Sequence, residues 1–176
     1  SSHPVSLFIS CILTSYTKEI KDEMETLFKD IADDMIFLNC INQGGYMYEI
    51  NAHLAVNGDG GYHPMNNICP MPFKNLYVSV EGYLTMCCTD FQNYLVAADL
   101  NKEPLREAWN NKYAQKLRQA YIDGKLDGTL CFNCIYNVRQ KIEPLIPQYA
   151  VPFDYDAYDS TDKINRRIME WNQKIE

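Results

Sequence analysis

No stretch of this sequence approaches the roughly 18 consecutive apolar residues that a transmembrane helix needs. Basic charge is scarce: 16 Lys and Arg stand against 23 Asp and Glu, a formal net charge of −7. That balance argues against nucleic acid as a partner, because such a surface would be basic. Histidine is nearly absent, and the three present (His3, His53 and His63) are scattered without the spacing of metal ligands. The opening SSHPVSLFISC has no basic stretch ahead of its apolar run, so it does not read as a secretory signal. It has no initiator Met either, and reads as a piece cut from a longer, cytoplasmic protein with no membrane contact. Internal repeats and low-complexity tracts are lacking too. What the 176 residues have in excess is cysteine: seven, many for a reduced chain and an awkward number for a disulfide scaffold.

The run VSLFISCIL (5–13) predicts a strand buried on both faces, as in a parallel sheet. Thr17 offers an N-cap, and Ile20, Met24, Leu27, Phe28 and Ile31 fall on one face of a following helix. Asp33 and Asp34 end it, and MIFLNCI (35–41) predicts a second buried strand. Together these make a βαβ unit with a right-handed crossover. One such unit cannot cover both faces of a sheet, so residues 1–45 read as the edge of a larger α/β domain. Residues 46–67 complete a Gly- and Asn-rich stretch without helical period and read as a linker. The G-x-G-G of Gly58, Gly60 and Gly61 precedes no helix and reads as loop, not as a phosphate cradle.

From Asn75 the pattern alternates, LYVSV then YLTMCC around Glu81-Gly82, which predicts a β-hairpin. Residues 89–100 read as an irregular connection. A single helix is expected from Pro104 to Asp123, with Asn101 or Lys102 near its cap and Gly124 as its stop. Its inner face would carry Leu105, Ala108, Trp109, the stem of Lys112, Tyr113, Leu117, Ala120 and Tyr121 as core. Cys131 and Cys134 lie in an expected tight turn that leads into a short helix. Residues 143–176 divide into an extended tail and an amphipathic helix with Ile164, Ile168, Trp171 and Ile175 on one face.

Four cysteines form a pattern with chemical sense. Cys69 precedes the first hairpin strand and Cys87 ends the second, while Cys131 and Cys134 make a C-x-x-C pair. Four thiolates from separate segments make a closed S₄ site, suited to zinc or to an iron–sulfur cluster, with disulfide pairing as the other use. Cys11 and Cys40 sit within apolar strands and read as small buried hydrophobes. Cys88 adjoins Cys87, and strand alternation sends it to the opposite face. Whether Cys88 takes the place of Cys87 stays open here. Asp90, Tyr83 and Asn133 lie near these cysteines in sequence and could tune a site, although turn capping and packing are their simpler roles.

The stretch CPMPFKNLYVSVEGYLTMCCTDF, followed by VAADLNKEPLREAWNNKYAQKLRQAYIDGKLDGTLCFNC, resembles the auxiliary-cluster domain of radical S-adenosylmethionine enzymes, the SPASM domain or its shortened twitch form. The C-x₁₂-G-x₄-C opening, the aromatic hairpin, the E-A-W-N helix and the closing C-x-x-C carry that resemblance over about residues 68–136. It implies an α+β chain: the end of a partial (β/α)₆ barrel in 1–45, a linker in 46–67 and a Cys₄ cluster domain in 68–142. It implies one auxiliary [4Fe–4S] cluster on Cys69, Cys87, Cys131 and Cys134, with zinc possible in its place. Electron relay or substrate positioning during modification of a peptide or small molecule would be the function; a structural Zn(Cys)₄ module without redox activity is the alternative.

The sequence also departs from the family. No cysteine follows Cys134, so the two-cluster form does not fit and the single-cluster form does. The C-x₃-C-x₂-C motif that holds the cluster for S-adenosylmethionine is lacking. That cofactor, the second cluster and the catalytic residues are therefore expected in an upstream barrel of the same protein, the main partner implied. This chain alone does not start radical chemistry; its parent would be the enzyme.

Overall fold

The computed structural model describes residues 5–48, 54–56, 68–152 and 161–172. The three histidines, the Gly58–Gly61 loop and Ile175 lie outside them, as do the side chains of Ile164, Ile168 and Trp171.

The N-terminal βαβ unit is present. Strand β1 (Phe8–Leu13) pairs in parallel with β2 (Asp34–Asn39), from Phe8 opposite Asp34 to Leu13 opposite Asn39. Between them a 3₁₀ turn leads into helix α1 (Lys21–Phe28). Thr17 stands at the start of that turn without capping it: its hydroxyl oxygen accepts from the Thr14 amide at 2.9 Å and its proton goes to the Ile12 carbonyl at 3.0 Å. The expectation of strands buried on both faces is corrected: Phe8, Ile12, Ile36 and Leu38 are exposed, and the alternate residues are only half-covered. One crossover helix covers one face of a two-stranded sheet and leaves the other bare.

The larger body follows. A short helix α2 (Met71–Lys74) precedes β3 (Tyr77–Val78) and β4 (Tyr83–Thr85), which form the expected hairpin. Gly82 holds the turn at φ +86°, and a Cβ there would lie 2.7 Å from the Asn101 amide nitrogen, so glycine is required twice over. The connection expected at 89–100 contains a third strand, β5 (Val96–Asp99), antiparallel to β4 and wholly buried. Its register passes over Ala97 between Leu84 and Thr85, a local bulge.

The single helix expected from Pro104 to Asp123 is two: α3 (Leu105–Trp109) and α4 (Lys112–Ile122). Pro104 itself occupies the N-cap position of α3. Asn111 causes the break. Its side-chain oxygen caps the Tyr113 and Ala114 amides, and its amide donates to the Ala97 carbonyl at 2.8 Å. The bulge and the break are thus one feature. Arg118 lies over the Trp109 ring, 4.1 Å from its centroid, and its guanidinium donates to the carbonyls of Trp109 and Pro72. Gly124 follows α4 at φ +66°, the expected stop.

Helix α5 (Leu130–Tyr136) carries the C-x-x-C pair within it rather than in a turn before it. Thr129 caps it by accepting from the Phe132 amide. The extended tail then runs over the body, where Leu145 donates to the Tyr94 carbonyl and Val151 to that of Gln92. Helix α6 (Thr161–Asn172) closes the described chain. The core of this body comprises Tyr46, Met86, Leu95, Ala97, Leu117, Tyr121, Leu130 and neighbours. Tyr46 comes from the stretch expected to be linker, so the 42–47 turn packs as part of this core.

Candidate metal centre

Cys69 precedes α2 and Cys87 follows β4, so both flank the hairpin. Cys131 and Cys134 are three apart on α5, a spacing that places both thiols on one helix face. These four, and no other cysteine, line one apolar cavity of about 40 Å³ walled by Met71, Pro72, Met86, Leu95, Leu130 and Ile135. No disulfide joins any of the seven cysteines, all of which are among the described residues, so the disulfide reading is not what the fold contains. Among the described residues, no three His, Cys, Asp or Glu side chains are arranged closely enough to clasp a single metal ion.

The other cysteines are elsewhere. Cys88 is exposed, is hydrogen-bonded to the Tyr77 hydroxyl and does not line the cavity. Cys11 lies in β1 and Cys40 just beyond β2, both half-buried and not enclosed as expected.

Burial dominates the electrostatics of Cys87, Cys131 and Cys134. It pushes the thiol of Cys131 well above its ordinary value and that of Cys134 up to about 12. Cys87 rises for the same reason, partly offset by hydrogen bonds from Thr89. The mutual repulsion of the prospective thiolates adds to each shift. Such a set is stable empty only as neutral thiols; as thiolates it requires enclosed positive charge. Sulfur donors in an apolar wall match a soft metal or a cluster, and four of them match the ligand demand of either.

One supporting turn was not foreseen. Asn42 donates from its side chain to the Cys134 carbonyl at 2.9 Å and accepts from the Gly45 amide. Gly45, at φ +93°, lies so close to α5 that a Cβ would sit 2.7 Å from the Cys134 nitrogen. The Gln-Gly-Gly run was the visible signal, but only the packing partner gives it meaning.

The three suspected tuning residues are occupied away from sulfur. Asp90 is buried and accepts from the Tyr46 and Thr85 hydroxyls and the Tyr94 and Leu95 amides, at 2.7–2.9 Å. Its role is turn capping, the simpler of the two expected. Asn133 is fully buried and closes on the Gln140 backbone. Tyr83 stacks on Tyr149 at 4.6 Å. Instead, two hydroxyls reach the thiols: Thr89 Oγ1 stands 3.1 Å from Cys87 Sγ, and the Tyr121 hydroxyl is hydrogen-bonded to Cys131. From the sequence, Tyr121 is expected only as core. A tyrosine on a buried helix face was the available signal, since a buried hydroxyl needs a partner.

No curated protein and no solved structure matches the chain. Residues 69–135 match the family model described as the SPASM iron–sulfur cluster-binding domain. That match begins at Cys69 and takes in all four cavity cysteines. Residues 69–135 are therefore similar to the SPASM iron–sulfur cluster-binding domain.

Proposed function

We propose that Cys69, Cys87, Cys131 and Cys134 hold one [4Fe–4S] cluster, and that this domain serves as the auxiliary-cluster module of a radical S-adenosylmethionine enzyme. The observation that carries the reading is the convergence of four thiols, from the two ends of the hairpin and one helix face, on a single apolar cavity within the SPASM match. When bound, the cluster supplies a one-electron redox centre. The chain's own residues do the rest. Four cysteines leave no ligand position for substrate, which favours electron relay over direct substrate binding. Met71, Pro72, Met86 and Leu95 exclude water and keep the local dielectric low. The Gly45 turn locks α5, and with it Cys134, by backbone contact.

The partner on this reading is an upstream barrel of the same protein, which would read a peptide or small-molecule substrate. The exposed apolar side chains Phe8, Ile12, Ile36 and Leu38 of the β1–β2 sheet support that arrangement. A reducing compartment such as the cytoplasm suits seven cysteines with no disulfide among them. Among the described residues no helix is long and apolar enough to cross a membrane.

The second reading is a structural zinc held by the same four thiols: the small volume of the cavity, about 40 Å³, favours it, while the spread of the thiols beyond the reach of one ion counts against it. Anaerobic reconstitution of the full chain with iron and sulfide separates the two. We expect about four irons and four sulfides per chain with a brown charge-transfer absorbance, lost in Cys87→Ala and Cys131→Ala. One zinc per colourless chain, with no iron uptake, would overturn the cluster assignment.

A further inference from the structure

Two side chains at the cavity have no part in ligation yet touch the sulfurs. Thr89 places Oγ1 3.1 Å from Cys87 Sγ, and its backbone amide also donates to that sulfur. Tyr121 reaches Cys131 from α4, its ring held edge-on against Phe73 at a centroid distance of 6.0 Å. A metal-bound thiolate has no proton, so at each contact the hydroxyl must be the donor. Both hydroxyls are positioned by other parts of the fold. Gly44, at φ +71°, leaves the room Thr89 needs: a Cβ there would lie 2.8 Å from Thr89 Oγ1. Tyr121 is buried in the core.

Resting on the cluster assignment above, we infer that Thr89 and Tyr121 are the positioning residues that raise the reduction potential of the centre, each through a hydrogen bond donated to one ligand sulfur. Reduction by one electron adds negative charge that is shared onto the thiolate sulfurs. A donor aimed at sulfur therefore stabilises the reduced form more than the oxidised form. The sign follows directly: removing a donor makes reduction harder. Asp90, Tyr83 and Asn133 play no such part, because their hydrogen bonds or ring contacts are made elsewhere.

The test is an anaerobic spectroscopic redox titration of the reconstituted full chain, with dithionite as reductant. Thr89→Val and Tyr121→Phe keep shape and remove one hydroxyl each. Each should lower the reduction equilibrium constant about tenfold, ~59 mV for a one-electron couple. The double variant should shift by the sum, Thr89→Ser should restore the wild-type value, and Tyr83→Phe should leave it unchanged. Full cluster content with an unmoved potential in both Thr89→Val and Tyr121→Phe overturns the inference. So does an equal shift in Tyr83→Phe, which would mark a general aromatic or solvation effect. Should Tyr121→Phe fold poorly, the Thr89 pair decides alone. A wild-type chain that takes up no iron and sulfide overturns the inference together with its foundation. That outcome is distinguishable, because no variant would then show visible absorbance.

Discussion

Asp90 offers the sharpest test at the scale of single residues. Oδ1 accepts from the Tyr46 hydroxyl and the Tyr94 amide, Oδ2 from the Thr85 hydroxyl and the Leu95 amide. A hydroxyl can turn round and accept instead, but a backbone N–H cannot. Asparagine in either orientation therefore sets its NH₂ against a buried backbone donor. Asp90→Asn should destabilise the fold by about 3 kcal/mol, close to the cost of Asp90→Ala, measured as a lower urea midpoint at unchanged slope. A loss below about 1 kcal/mol would mean the pocket admits water. Asp99 gives a pH-dependent counterpart. The hydrogen bond from Lys102 at 2.8 Å, helped by Asn101, holds its carboxyl below the usual carboxylate value. Its folded pKa lies below its unfolded one, so its contribution is fully present above the ordinary carboxylate range. That contribution is lost as pH falls through the depressed value. Unfolding free energies of wild type and Asp99→Asn should converge as the pH is lowered through and below about 4.

At the scale of elements, what was legible divides by the range of the signal. The βαβ order, the hairpin and the Gly82 turn were readable because periodicity and glycine act locally. The four cavity cysteines stood out by spacing alone. β5 was not readable: Val96, Ala97 and Ala98 are all buried, so no alternation marks them, and alanine has little strand preference. The break between α3 and α4 was hidden for a related reason. The pattern of Leu105, Ala108, Trp109 and Tyr113 continues through it, and only the Ala97 carbonyl, fourteen residues back, tells Asn111 to cap rather than continue. The Tyr121 contact was not legible because it joins two helices; the Thr89 contact is local, two residues from Cys87, but no pattern in the sequence aims that hydroxyl at sulfur. Asn111→Ala should therefore cost more than an ordinary cap. Two α4 amides lose their acceptor and the bulge carbonyl loses its donor, about 2 kcal/mol in all. Thermal unfolding of Asn111→Ala against Asn110→Ala checks it, since the Asn110 side chain donates locally, to the Arg106 carbonyl within α3.

At the scale of the whole molecule, the described chain joins two bodies of unequal finish. The β1–β2 sheet exposes Phe8, Ile12, Ile36 and Leu38, whereas the hairpin body encloses a continuous core that extends from Tyr46 to Ile142. All four cavity thiols belong to the second body, and the 42–47 turn is tied to it through Asn42, Gly45 and the Cys134 backbone. Binding free energy at those thiols can stabilise only the elements they join, because a ligand adds stability to the unit whose unfolding would release it. Amide hydrogen exchange compared before and after iron and sulfide loading should therefore slow in α5, in β5 and in the 42–47 turn. Rates in β1 and β2 should stay the same, and a chelator that strips the metal should reverse the gain. Cys11 and Cys40 in the first body provide an internal control, since neither reaches the cavity. Equal protection in β1 and α5 would show that the two bodies unfold as one cooperative unit and would sink this prediction. Protection confined to α5, without the 42–47 turn, would instead deny the Gly45 contact its role in fixing Cys134.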